Sequence, residues 1–374
     1  MQLKQAIQQQ AQSLGFALVG VTTPDPPPHY AAYETWLCAG RQAGMGYLAS
    51  PQVRAKRADP RLILPECRSI LVLAMPYFPQ THPEVPAGAG LVASYAWGED
   101  YHLVLPDRLG KLVSFIEAQI GYPIASCCYT DTGPLLERDL AQRAGLGWIG
   151  KNTCLINPRL GSYFFLSEIL LDIELEPDPP FTMDHCGTCS RCIDACPTSC
   201  ILPDRSLDAG RCISYLTIEL KEQIPPDLRA QLGSWVFGCD RCQQVCPWNR
   251  FALAQGEPAF APRPGLPVPD LQQELGLSPA QFSLKYKRSP VQRAKRRGYL
   301  RNVAVALGNH GALTAVPVLR HVLLHEPEAL VRQAAAWALG QIGGVESRRA
   351  LDLAWESETD PQVLAEIQTV LRVP

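Results

Sequence analysis

No apolar run in this 374-residue sequence approaches the roughly 20 residues that a bilayer-spanning helix needs. The longest, such as SILVLAM at 69–75, fall far short, so no membrane segment is expected. The first stretch, MQLKQAIQQQAQSLGF, lacks the basic region and apolar run of a signal peptide. Export is therefore not expected, and the cytoplasm is the expected location. Net charge is nearly absent too, at −2, so any polyanion must be met by a local concentration of positive residues. What the chain does have is 47% apolar residues, enough for two or three buried cores, and 14 cysteines. So many thiols without an export signal argue against a disulfide framework and for metal ligation or redox chemistry.

Cys186, Cys189, Cys192 and Cys196, followed by Pro197, have the Cys-x2-Cys-x2-Cys-x3-Cys-Pro spacing of bacterial ferredoxins. Three closely spaced thiolates can face one [4Fe-4S] cube, whereas the fourth sits too far along and should serve a second. A partner run follows at Cys239, Cys242, Cys246 and Pro247. By the crossed rule, Cys246 completes the first cube and Cys196 joins Cys239 and Cys242 on the other. Cys212, between the runs, is the best candidate for the missing ligand. Zinc also accepts four thiolates, but it rarely calls for three successive x2 intervals or a proline after each run. Cys38, Cys67, Cys127, Cys128, Cys154 and Cys200 read as small buried hydrophobes.

The sequence predicts a multidomain α+β protein. Residues 1–176 alternate helical patterns with short apolar strands, and 177–257 hold the cysteine runs. Residues 258–284 form a proline-rich linker, with five prolines between 256 and 270. From 285 to 374, VAVALGNHG (303–311) and AAWALGQIG (335–343) match at an offset of 32, the mark of a HEAT-like repeat of paired helices. At its entrance stand Lys285, Lys287, Arg288, Arg293, Lys295, Arg296, Arg297 and Arg301, with no acidic residue among them. Such a one-signed cluster favours phosphate binding over an ordinary solvated face. Tyr286 and Tyr299 could stack on bases or simply pack.

GLGWIG (145–150) matches Gly-x-Gly-x-x-Gly, but a helical pattern precedes it where a dinucleotide fold needs a strand. Its glycines more plausibly shape a turn with a close backbone approach. In TDTGPLLERDLA (130–141), Asp131 or Thr132 could merely cap the following helix. Alternatively Asp131 is a proton donor, which would require burial to raise its pKa.

KRADPRLILPECRSILVLAMPY, YAWGEDYH, DTGPLLERDLAQRAGLGWIGKNT, GSYFFLSEIL, both cysteine runs and RRGYLRNVAVALGN together resemble the epoxyqueuosine reductase family over nearly the whole chain. The resemblance implies a nitroreductase-like first domain binding cobalamin. Arg57, Asp131, the backbone at Leu155 and Leu166, Ser214 and Asp240 are implied near the corrin. It also implies deoxygenation of epoxyqueuosine at the wobble base of tRNAs with GUN anticodons, those for Asp, Asn, His and Tyr. Asp131 would be the general acid, and two [4Fe-4S] clusters would relay electrons from an external donor. A monomer is expected. The Asp-x-His-x-x-Gly motif of histidine-ligated cobalamin is not met, because Asp100 and His102 are followed by Leu105 in place of glycine. VASYAWG also lacks the cysteine that some relatives carry there. A reductive dehalogenase and a non-enzymatic ferredoxin-HEAT scaffold are the competing readings.

Overall fold

A computed structural model describes residues 2–77, 85–252 and 256–372. The chain forms two compact units, each gathered from three stretches: 1–80, 98–210 and 241–261 in one, and 81–97, 211–240 and 262–374 in the other. These units do not follow the sequential boundaries drawn from composition. The short strand Leu91–Val92 pairs in parallel with Trp235–Phe237, which draws residues on both sides of the first unit's sequence into the second. Asn302, from a helix of the second unit, ties the same strand down by donating from Nδ2 to the carbonyls of Val236 (2.9 Å) and Thr217 (2.8 Å).

The first unit is built on an antiparallel four-stranded sheet in the order Leu18–Thr22, Ser69–Pro76, Phe164–Leu171, Ser126–Tyr129. The two central strands are apolar almost throughout because both faces are covered. On one face Ile70, Val72, Ala74 and Leu170 pack against Leu140, Ala141 and Ala144, from the helix Glu137–Arg143 and its end. The other face carries Phe165, on which Tyr101 of the helix Tyr101–Ile120 stacks at 4.3 Å. Asp100 caps that helix through the His102 N–H. The glycines of GLGWIG do make a close backbone approach: a Cβ on Gly147 would lie 2.1 Å from the Ile156 carbonyl oxygen.

In the second unit the 32-residue offset acquires a physical meaning. Gly308, in the helix Lys295–His310, lies where that helix crosses Ala329–Ile342, and a Cβ there would come within 2.9 Å of Ala338 Cα. Gly340 occupies the equivalent crossing with Pro361–Leu371, where a Cβ would meet Val370 at 2.3 Å. The glycine of each Ala-Leu-Gly thus sets helix-to-helix distance. The proline-rich stretch carries one short 3-10 turn, Pro258–Phe260, and the rest of the expected linker holds the helices Leu271–Leu275 and Pro279–Lys285.

Candidate active site

Edge strand Ser126–Tyr129 runs directly into the Asp131 turn. Thr130 fastens that turn by donating from Oγ1 to the Leu166 carbonyl at 2.8 Å. Asp131 itself adopts φ of 58°, a left-handed conformation that costs energy for a residue with a side chain. It does not cap the next helix: Leu136 holds the cap position, without a side-chain bond. The turn is held instead by Glu137, whose Oε1 accepts the Asp131 backbone N–H at 2.5 Å.

The Asp131 carboxylate faces a small polar cluster that the sequence motifs did not reveal. Tyr101 donates its hydroxyl to Oδ2 at 2.8 Å, and His102 Nε2 lies 3.4 Å from the same oxygen, an ion-pair contact rather than a well-formed hydrogen bond. Asp100 holds the other ring nitrogen of His102 at 2.8 Å. Burial works against a charge on His102, but the carboxylates on either side prevail and raise its pKa to about 9. Desolvation opposes the Asp131 charge as well; His102 and Tyr101 more than offset it and hold Asp131 below the usual carboxylate range. The side chain is 62% exposed, so in the free protein it is an open, ionised carboxylate. The sequence had required burial to raise this pKa; the free protein does the reverse. The consecutive Asp-Tyr-His was the available signal.

Behind the turn the opposite shift operates. Burial, and then the nearby Asp131 charge, raise Glu137 to about 7. Glu168 is fully buried in the central strand and pushed well above its ordinary value by desolvation.

Of the residues implied near a corrin, Arg57, Asp131, Leu155 and Leu166 belong to the first unit and Ser214 and Asp240 to the second. Arg57, in the last turn of Pro51–Ala58, lies over the Tyr33 ring at 5.0 Å, and its Nε is buried without a hydrogen-bond partner among the described residues. An orphaned donor fits a cofactor bearing amide and phosphate oxygens. Asp240 is engaged within its own unit, where Oδ2 accepts the Ser94 N–H at 2.7 Å and hydroxyl at 2.5 Å.

The cysteine runs are built alike. Cys192 sits in the short helix Arg191–Asp194 and Cys242 in Arg241–Gln244, and these two helices pack together within the first unit. Trp148 donates Nε1–H to Cys186 Sγ at 3.4 Å, and Lys151 pins the loop through the carbonyls of Gly187 (2.7 Å) and Cys189 (2.9 Å). Cys186, Cys189, Cys192, Cys196, Cys242 and Cys246 lie on the first unit, Cys212 and Cys239 on the second. Cys200 is buried, with its sulfur 3.4 Å from that of Cys196.

The basic stretch needs correcting at one position. Arg301 is fully buried and donates to the carbonyls of Leu216 (2.6 Å), Leu220 (2.9 Å) and Glu222, so it cannot reach a phosphate. Three more residues are already paired: Lys285 with Glu274, Arg293 with Glu219 at 2.9 Å and Arg296 with Glu326 at 2.7 Å. Lys285, Lys287, Arg288, Arg293, Lys295 and Arg297 are exposed. Tyr286 and Tyr299 pack internally, hydroxyl to hydroxyl at 2.8 Å.

Comparison with known proteins joins these parts. Residues 57–132 match the family model "Epoxyqueuosine reductase QueG, DUF1730", residues 185–249 a 4Fe-4S double cluster binding domain, and residues 294–372 HEAT repeats. An epoxyqueuosine reductase of Pseudomonas aeruginosa is 41% identical over 347 residues, covering 91% of this chain and 95% of that protein. One of Bacillus cereus is 34% identical over 100% of this chain and 97% of its own length. A crystal structure of epoxyqueuosine reductase with an epoxyqueuosine-modified tRNA-Tyr stem loop superposes with a TM-score of 0.92, at 32% identity, over 99% of this chain and 98% of that one. A Bacillus subtilis structure, in which the catalytic aspartate loop is swung out of the active site, gives 0.90 at 32% identity over the same shares.

Proposed function

The chain belongs to the epoxyqueuosine reductase family and reduces epoxyqueuosine to queuosine in tRNA; we propose that it does so with cobalamin as cofactor and Asp131 as proton donor. The carrying observation is the Asp131 turn: a carboxylate in a left-handed conformation, braced by Tyr101 and His102, yet open to solvent. Bound cobalamin would supply a cobalt centre able to collect two electrons and deliver them to carbon. Arg57, with its unpartnered Nε, and the backbone at Leu155 and Leu166 would hold it on the first unit, which we read as nitroreductase-like, with Ser214 and Asp240 implied from the second.

Asp131 is ionised in the free protein, so it must take up a proton before it can act. A base and corrin covering the carboxylate would remove water from it and raise its pKa. Protonating the oxygen as it leaves carbon avoids a free alkoxide. Tyr101 and His102 hold the carboxylate in place for that transfer.

Cys186, Cys189, Cys192 and Cys246 would ligate one [4Fe-4S] cluster and Cys196, Cys212, Cys239 and Cys242 the other, an assignment that rests on spacing. The clusters would pass single electrons from an external donor. Lys287, Lys295 and Arg297, with Lys285, Arg288, Arg293 and Arg296 beside them, would meet tRNA phosphates, which position a nucleic acid without reading its sequence. The substrates would be tRNAs with GUN anticodons, the wobble base leaving its stack to react.

The test is anaerobic optical titration of the cluster-loaded protein with cobalamin, and separately with FMN. Cobalamin should bind and FMN should not, and Asp131→Asn should bind cobalamin and stem loop normally while losing most turnover. Saturable FMN binding without cobalamin binding would overturn the cofactor assignment; full turnover in Asp131→Asn would overturn the proton-donor role.

A further inference from the structure

Converting an epoxide to an alkene breaks two C–O bonds, forms one C=C bond and releases the oxygen as water. Each turnover therefore takes up two electrons, from the external reductant that the activity requires, and two protons. Asp131 carries one proton at a time, so it must be reloaded within the turnover. With cofactor and base covering Asp131, bulk water would be displaced and the second proton would have to come from the protein side.

Resting on the assignment of Asp131 as donor, we propose that Glu137 is the protein-side source that reloads it, and that Glu168 stands behind as a neutral carboxylic acid. Glu137 is fastened to the donor's own backbone, since its Oε1 accepts the Asp131 N–H. Glu168 lies on the central strand directly opposite Tyr129, two residues before Asp131, and on the same face as Leu166 and Leu170, which pack toward the helix that begins with Glu137. Glu168 is fully buried, and neither of its carboxyl oxygens has a hydrogen-bond partner among the described residues. A carboxylate is not sustained in such a place; a protonated acid is.

The surrounding charges fix where a mobile proton resides. Asp131 faces Glu137 from the turn, Arg138 from its own helix, Arg57 from the helix Pro51–Ala58 and Glu168 from the sheet. Burial and the Asp131 charge outweigh the two arginines, so Glu137 titrates at about 7, where a proton is both held and released near neutral pH. His102 suits the task less well. When protonated it turns Nδ1–H toward Asp100 and Nε2–H toward Asp131, and giving up a proton would leave those two carboxylates facing an uncharged ring.

Glu137→Gln retains an oxygen for the Asp131 N–H and removes the proton. In the cofactor-loaded enzyme, single-turnover deoxygenation of an epoxyqueuosine-modified stem loop should slow at least tenfold, with stem-loop affinity retained. It should also lose the wild-type decline as pH rises through about 7. Infrared titration of the ligand-free protein gives a readout independent of activity. A protonated-carboxyl band persisting well above the range in which ordinary carboxylates titrate should disappear in Glu168→Gln, and a second, titrating near neutrality, should disappear in Glu137→Gln. A wild-type rate and pH profile in Glu137→Gln would overturn the proposal. Should either variant fail to fold, wild-type protein carrying 13C-labelled glutamate decides the matter, since the absence of any protonated glutamate near neutral pH overturns it equally. Asp131→Asn run alongside separates the two claims: full activity there sinks the donor role itself, whereas a slow Asp131→Asn beside an unimpaired Glu137→Gln sinks only the reservoir.

Discussion

Replacing Trp148 with phenylalanine removes one hydrogen bond to Cys186, a ligand of the proposed first cluster. The indole is buried, donates to Cys186 Sγ at 3.4 Å, and packs edge-on against Trp248 at 5.2 Å and roughly parallel to Phe181 at 5.7 Å. A donor to cluster sulfur stabilises the reduced, more negative state more than the oxidised one, so its loss lowers the potential. A net hydrogen bond is worth about 0.5–1.5 kcal/mol, and for one electron a tenfold change in equilibrium corresponds to about 59 mV, giving an expected fall of roughly 20–60 mV. Anaerobic redox titration followed by electron paramagnetic resonance would measure it. Trp248→Phe is the control, because Trp248 donates to the His185 carbonyl at 3.4 Å rather than to sulfur, and it should leave the potential nearly unchanged. An unchanged or raised potential in Trp148→Phe, or an equal fall in both variants, would refute the reasoning.

Arg301→Ala should destabilise the protein by about 3 kcal/mol in chemical denaturation, because a fully buried side chain is removed and the carbonyls of Leu216, Leu220 and Glu222 lose their donor; weakened tRNA binding with unaltered stability would return Arg301 to the phosphate surface. The triple variant Lys287→Ala, Lys295→Ala, Arg297→Ala should weaken all substrate tRNAs alike and flatten the salt dependence by up to roughly 0.7–0.9 in log-log slope per lost contact. His102→Asn should show a pH-dependent stability deficit. The raised His102 pKa means its contribution is fully present below about 6.5 and is lost as pH rises through about 9, so denaturation midpoints of wild type and variant should converge across that window.

The iron-sulfur segment, matched over residues 185–249, was legible because ligation chemistry fixes cysteine spacing in the chain itself, and the helical repeat because Gly308 and Gly340 recur at the crossing of successive helices. Other features depend on contacts that spacing does not encode. Asp131 meets Tyr101 and His102 across about 30 residues, and nothing in the Asp131 segment announces them. Glu168 was visible as the lone charge in FFLSEILL, the one available sign that a buried strand carries an acid. Arg301 looked like its basic neighbours by composition, although the helix around it, LRNVAVALG, is apolar enough to bury one face. The two interleaved units could not be read, because a two-residue strand, Leu91–Val92, leaves almost no periodic trace.

The most direct test of the account is a single turnover of the reconstituted, chemically reduced protein on an epoxyqueuosine-modified stem loop, read by nucleoside mass spectrometry with and without cobalamin. Loss of one oxygen from the modified base only when cobalamin is present, and its loss from wild type but not from Asp131→Asn, is the predicted result. Deoxygenation of equal extent without cobalamin, or none with both clusters and cobalamin in place, would contradict it.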